Sequence, residues 1–440
     1  MGRLSVKEKL GFGIFDLGGN LFFTALGFWS LNYLTDVAGL AAGLAGFAVM
    51  IGKLWDAVSD PMMGYISDRT RSRWGRRRPY LLFGALPVLF TMWAFFTAPK
   101  IENPLLLTLW AALTLILLNT ANTVINVPYA SLTPELTGDY HEQTSLNGYR
   151  FGCAVIGTII GAAAVKPLVD AFSSPRLGFS MAGLFLGSIV ALTSLLCFFG
   201  TREKKRSPQD YPTAGFRATY GAVFSNRPYV LLLGTYALHL MGISFLQGIL
   251  IYYTKYIYRR EDLTAGAMAV LLLTAMVCIP LSVLVSKRIG KKRTYQICFA
   301  LLAGGCMAIF CLGHLLGTSF FMGMMIWAGA GVGFSYVAPF AMVPDAVEYD
   351  AHTTGERKEG AFYGMWTFTA KLGQSLAVLF SGLILAGGGY AADAIQGPGA
   401  RLAIRLIIGP LPALLFLAAL VLVQFYPLDE GTYKKLTASG

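Results

Sequence analysis

The chain has 440 residues, of which 55% are hydrophobic and 13% charged, with a mean hydropathy of +0.59; a water-soluble globule carries about 25% charged residues. Soluble enzymes, nucleic-acid binders and disordered proteins are excluded at this level. The 35 Lys and Arg exceed the 23 Asp and Glu to give +12, which fits either a polyanion partner or the cytoplasmic loops of a membrane protein, so the placement of those charges decides.

Twelve apolar stretches reach the roughly 20 residues that cross a hydrocarbon core. In chain order they run 10–36, 39–66, 79–98, 104–132, 145–170, 176–200, 228–257, 263–286, 295–314, 318–343, 361–388 and 402–426. The first lacks a small-residue cleavage site and continues past Trp29 to Asp36, so it reads as a helix that stays. The expected fold class is all-α integral membrane. It has 12 transmembrane helices in two pseudo-symmetric six-helix bundles, 1–200 and 228–440, joined by a polar cytoplasmic linker, 201–227. Most basic residues fall in alternate loops, including Arg69, Arg71, Arg73, Arg76, Arg77 and Arg78 after the second span and Arg202, Lys204, Lys205 and Arg206 after the sixth. That asymmetry predicts cytoplasmic termini and a multi-pass protein of the cell (inner or plasma) membrane, with the lipid bilayer as a partner. No aromatic platform accompanies the basic runs, so nucleic acid is not an expected partner. The six cysteines lie in apolar stretches without CxxC spacing and read as packing residues.

The halves repeat one another. Gly75-Arg76-Arg77-Arg78-Pro79-Tyr80 returns about 215 residues later as Gly290-Lys291-Lys292-Arg293-Thr294-Tyr295, and Pro128-Tyr129-Ala130 with Pro134-Glu135 returns as Pro339-Phe340-Ala341 with Pro344-Asp345. Duplicated bundles suit a secondary transporter, in which a solute site between similar halves opens to each side in turn. No phosphate-cradling GxxxxGK[ST] loop occurs, so the chain is not read as an ATPase or any other enzyme, and no cofactor is expected. Gly157-Thr158-Ile159-Ile160-Gly161 has the small-xxx-small pattern of close helix packing, read as intramolecular, and the protein is expected to work as a monomer.

Ionisable residues inside spans are costly and mark function. They are Asp16, Lys53, Asp56, Asp60, Arg150 and Lys371. Lys53, Asp56 and Asp60 share one helix face at i, i+3 and i+7. Two carboxylates a turn apart beside a lysine form a site for a small hard cation or a shared proton, or else one acid merely pairs with Lys53. Asp16, Asn20 and Thr24 also share a face. Asp16 thus faces a central cavity, or packs through a backbone or Tyr partner.

At this point the residues resemble a known family. Trp55-Asp56-Ala57-Val58-Ser59-Asp60-Pro61-Met62-Met63-Gly64-Tyr65 with Asp68-Arg69-Thr70-Arg71-Ser72-Arg73-Trp74-Gly75-Arg76-Arg77-Arg78-Pro79 is similar to the signature of the glycoside-pentoside-hexuronide:cation symporters of the major facilitator superfamily. Val127-Pro128-Tyr129-Ala130-Ser131-Leu132-Thr133-Pro134-Glu135-Leu136, Tyr149-Arg150 and Lys371-Leu372-Gly373-Gln374 resemble its other blocks. The resemblance implies a coupling-cation site, for sodium or a proton, at Asp56, Asp60 and Thr123. It implies solute contacts from Arg150 and Lys371. Asn20 and Asn126 stand where galactoside-binding aspartates occur, and Tyr129, Tyr336 and Trp366 stand near cavity-facing positions where an aromatic face can stack on a sugar. Asp68, Arg69, Arg73 and Arg76 resemble a gating motif of the loop after the second span.

The amides at Asn20 and Asn126 keep hydrogen bonding without charge. Arg150, Lys371 and Lys53 set against Asp56 and Asp60 leave the cavity net positive unless Asp16 also faces it, which favours an anionic solute such as a uronide. The expected function is sodium- or proton-coupled symport of a glycoside or uronide by alternating access. The alternative is a cation-coupled transporter of an amphipathic solute such as a lysolipid, and the amides Asn20, Asn122, Asn126 and Gln374 argue for the polar ligand.

Overall fold

Lipid offers no hydrogen bonds, so an apolar chain crossing it must satisfy its backbone internally. The described part of the chain is accordingly helical, with no strand among the described residues. The computed structural model describes residues 4–132, 136, 140–202, 224–335, 338–354 and 359–428, without the side chains of 68–69, 140–145, 147, 351–354 and 359–361. The helices are α1 Val6–Asn32, α2 Ala42–Arg69, α3 Arg78–Phe83, α4 Ala85–Phe95, α5 Pro104–Ala130, α6 Tyr140–Ala163, α7 Val165–Asp170 and α8 Pro175–Gly200. There follow α9 Arg227–Tyr252, α10 Leu263–Ile289, α11 Lys291–Ala308, α12 His314–Ser335, α13 Ala338–Thr354, α14 Glu359–Gly387, α15 Pro398–Ile408 and α16 Pro410–Gln424.

Local chemistry sets several starts. Ser5 and Glu8 form a reciprocal capping box at α1, which satisfies two otherwise orphaned amides. Asn103, Ser174 and Asn226 cap α5, α8 and α9 with their side chains, each with Pro in the first turn, where its missing N–H costs nothing.

Ten described helical runs are long and apolar enough to cross a membrane. The expected spans 295–314 and 318–343 fall within a single run, Lys291–Asp350; among its described residues it carries a π-turn at Ile309–Gly313 and a break at Gly317 (φ 75°). The fifth expected span is represented by the shorter apolar helix Gly148–Ala163. Two further π-turns, Tyr33–Val37 and Tyr253–Ile257, continue α1 and α9. They sit at matching points of the sequence repeat, and each opens on a fully buried tyrosine.

The chain forms two compact units, Met1–Asp210 with Val378–Ile395, and Tyr211–Ala377 with Gln396–Gly440. This differs from a cut at 201–227 alone, since 378–395 goes with the first unit. Glycines allow it: a Cβ on Gly382 would lie 2.3 Å from the Ala42 carbonyl oxygen and 3.1 Å from the Gly46 Cα. The Tyr390 hydroxyl also donates to Asp36.

In the first unit α1 packs on α6 and α8, α2 on α5, and α4 on α8. The small-xxx-small pattern is used here, inside the chain: a Cβ on Gly157 would sit 2.0 Å from the Leu17 carbonyl oxygen, and one on Gly161 would sit 2.5 Å from that of Leu21. In the second unit α10 packs on α12, and α16 on α9 and α11.

A basic residue entering the third span of each repeat caps the last helix of its own unit. Arg78 donates to the Phe198 carbonyl at 2.7 Å, and Lys292 to those of Gln424 and Tyr426 at 2.7 and 2.9 Å. A cation at a helix C-terminus offsets the helix dipole, so these members of the basic runs serve the fold.

Candidate cation and solute site

Helices α2 and α5 build the acidic cluster. They come close at Gly52, where a Cβ would lie 2.8 Å from the Leu115 Cβ and the Asn119 amide donates to the Gly52 carbonyl at 3.1 Å. One turn along both helices, the Thr123 hydroxyl lies 2.9 Å from Asp56 Oδ1 and 3.0 Å from Asp60 Oδ1. Ser59 Oγ adds a fourth oxygen, 3.2 Å from Thr123 Oγ1 and 3.2 Å from the Asp56 carbonyl. Asp56, Ser59 and Asp60 meet Thr123 because i, i+3 and i+4 lie on one helix face. Pro61, inside α2, removes a backbone donor directly beside Asp60.

The cluster brings two carboxylates and two hydroxyls together. A hydroxyl carries one hydrogen, so Thr123 cannot donate to both carboxylates at once. Hard oxygens in this number suit a small cation or a proton. Among the described residues no three His, Cys, Asp or Glu gather as a metal site; the cluster here is two acids with two alcohols. Lys53 lies one turn before Asp56 on the same helix and is half-buried.

A second cluster joins α1, α5 and α6. Arg150 grips Asp16 with Nε at 2.6 Å from Oδ2 and Nη2 at 3.3 Å from Oδ1. The Tyr129 hydroxyl donates to the same carboxylate and lies 3.2 Å from the Phe12 carbonyl. The guanidinium stands over the rings of Phe12 and Tyr129, at 5.6 and 5.1 Å from their centroids. The Arg150 and Asp16 side chains are 25% and 16% exposed, so the pair is only partly buried, and paired ionisable groups within membrane-spanning helices mark functional positions.

Four of the expected site residues, Asp16, Tyr129, Trp366 and Asn20, have partners within the protein. The sequence left Asp16 either cavity-facing or packed through a tyrosine; it pairs with Arg150 as well as Tyr129, so the positive balance that favoured a uronide loses its main cation. Tyr129 is 1% exposed and Trp366 3%. Neither offers a ring face to a sugar, because Tyr129 stacks on Phe15 at 4.0 Å and Trp366 on Tyr236 at 3.8 Å. The Asn20 amide turns back to donate to the Asp16 carbonyl at 2.8 Å.

Asn126 is half-buried on α5, and Lys371 is half-buried on α14 in the second unit. Tyr336 lies outside the described residues, as do the side chains of Asp68 and Arg69. Arg73 is exposed with its guanidinium 4.5 Å from the Trp74 ring centroid, and Arg76 is half-buried. Sequence reasoning missed Ser59 as a member of the cation cluster. Its signal was the i+3 spacing from Asp56, which is faint because a lone serine in an apolar helix is common.

Apolar helices of membrane-crossing length, a buried acid–hydroxyl cluster and an embedded ion pair together define a multi-pass membrane protein of the transporter class. The chain belongs to the MFS/sugar transport protein family, whose model matches residues 11–430, and with it to the glycoside-pentoside-hexuronide:cation symporters. It is 31% identical to the uncharacterized symporter YnaJ of Bacillus subtilis (strain 168), over 99% of this chain and 94% of that one. It is 28% identical to the glucuronide carrier protein homolog of Escherichia coli (strain K12), over 99% and 95% of the two chains. Its fold is similar to a solved proton-dependent oligopeptide transporter, with a TM-score of 0.71 at 13% identity, covering 99% of this chain and 100% of that one. The protein is therefore a membrane transporter and not an enzyme.

Proposed function

We propose that the protein is a symporter of the inner (plasma) membrane that carries a glycoside or uronide together with a sodium ion or proton by alternating access. The observation that carries this reading is the Thr123 hydroxyl held between the Asp56 and Asp60 carboxylates, an acceptor-rich pocket suited to a coupling cation. The Asp16–Arg150 pair of the same unit is the solute contact: a hydroxyl of the solute donates to the carboxylate and accepts from the guanidinium, or an acidic group takes the guanidinium in place of Asp16. A glucuronide carrier homolog among the relatives supports the sugar class. Asn126 is a further solute contact of this unit, and Asn20 acts through the Asp16 backbone. Arg73 and Arg76, with Asp68 and Arg69, belong to a cytoplasmic gate. The transporter has twelve spans with cytoplasmic termini and works as a monomer.

Coupling is a linkage free energy and is reciprocal. In detergent, sodium or a fall in pH should tighten binding of one member of a panel of neutral and acidic glycosides, and that solute should tighten cation binding by the same factor. A panel member whose binding is identical at all sodium and proton concentrations would contradict symport and leave facilitated diffusion.

A further inference from the structure

On α5 the residues Asn119, Asn122, Thr123 and Asn126 fall at i, i+3, i+4 and i+7, which is one helix face. Two of them already reach α2: Asn119 donates to the Gly52 carbonyl, and Thr123 bonds both Asp56 and Asp60. Asn122 sits between them in the same turn and is 1% exposed. Its Oδ1 is buried and accepts no hydrogen bond among the described residues. A buried polar oxygen without a donor is rare enough in a native fold to need an explanation such as an ion or a water.

The kind of ligand follows from the atom. Oδ1 is an acceptor, and it lies on the helix face that carries the acceptor-rich cluster. A bound proton adds a single donor, for which the two carboxylate oxygens already converge on Thr123. A hard metal ion instead gathers several oxygens at once, carboxylate, hydroxyl and amide alike.

We propose that Asn122 is a ligand of the coupling cation, joining Asp56, Asp60, Thr123 and Ser59, and that the cation it selects is sodium over the proton. This rests on the cation-site reading above and deepens it. The neutral amide adds an oxygen without adding charge, so it raises affinity for a metal ion while leaving the two-carboxylate proton chemistry in place.

The test uses the full-length protein in detergent with sodium chloride alone as ligand, choline chloride keeping ionic strength constant, and thermal unfolding as readout. A ligand that binds the folded state raises Tm with its concentration. The wild type should be stabilised by sodium. In Asn122→Leu the sodium concentration giving half of the shift should rise about tenfold or more, while Tm without sodium stays level or rises because an unsatisfied amide has gone. If the leucine is not accommodated, Asn122→Ala removes the same oxygen without added bulk and should show the same sodium defect. An unchanged half-point in either folded variant, with Asp60→Asn losing the sodium response, overturns the role of Asn122 and leaves the acid pair as the cation site. A wild type indifferent to sodium overturns both.

Discussion

A single hydroxyl between two carboxylates concentrates the chemistry of this transporter. Asp56→Asn or Asp60→Asn should leave the protein inserted, since an amide replaces a carboxylate at equal size, yet concentrative uptake should fall to the equilibrated level. Retained accumulation against a gradient by either variant, measured with labelled solute in vesicles, would remove the pair from the coupling mechanism. At this scale the sequence was partly legible. Asp56 and Asp60 announce themselves because an acid in an apolar span is costly, and their spacing puts them together. The partners are harder to see: Ser59 and Asn122 carry no charge, and nothing along the chain says that Asp16 on α1 will meet Arg150 134 residues away. Without that contact the charges of the expected site sum to a positive balance; with it, Arg150 is paired with Asp16 and the charge argument for an acidic solute falls away.

The helices hold these groups through backbone contact. α1 and α6 approach so closely at Gly157 that a side chain there meets the Leu17 carbonyl, and this fixes Asp16 and Arg150, which lie on the same two helices. Gly157→Leu should therefore destabilise the protein by about 1–3 kcal/mol, as overpacking does, and should weaken solute binding by shifting the Asp16–Arg150 pair. Thermal unfolding together with solute affinity checks both; a variant with wild-type values would show that the two helices tolerate separation. The ten membrane-crossing runs among the described residues were legible from length and apolarity alone, and the small-xxx-small pattern correctly pointed to packing within the chain. The π-turns at Tyr33–Val37 and Tyr253–Ile257 were not, because a single wide turn leaves the apolar pattern unbroken. Neither was the run from α11 through α12, where a π-turn at Ile309–Gly313 and the positive φ of Gly317 mark the break.

Across the whole molecule, duplication explains more than any one motif. Within the repeated segments Gly75–Tyr80 and Gly290–Tyr295, Arg78 caps α8 and Lys292 caps α16, although Lys292 matches Arg77 and not Arg78 in the sequence repeat. These two members of the basic surplus thus have a structural use. What the repeat did not foretell is that 378–395 packs with the first unit, since that depends on the meeting of Gly46 and Gly382 and not on either sequence alone. In the proposed symport, downhill movement of a cation drives a glycoside or uronide uphill. Its most direct test is uptake into proteoliposomes of a panel of neutral and acidic glycosides, with an imposed sodium gradient, an imposed proton gradient or neither. Accumulation of at least one of these solutes above its external concentration under one gradient, and only equilibration without it, is the predicted result. Equilibration of every transported solute regardless of gradient would contradict the account.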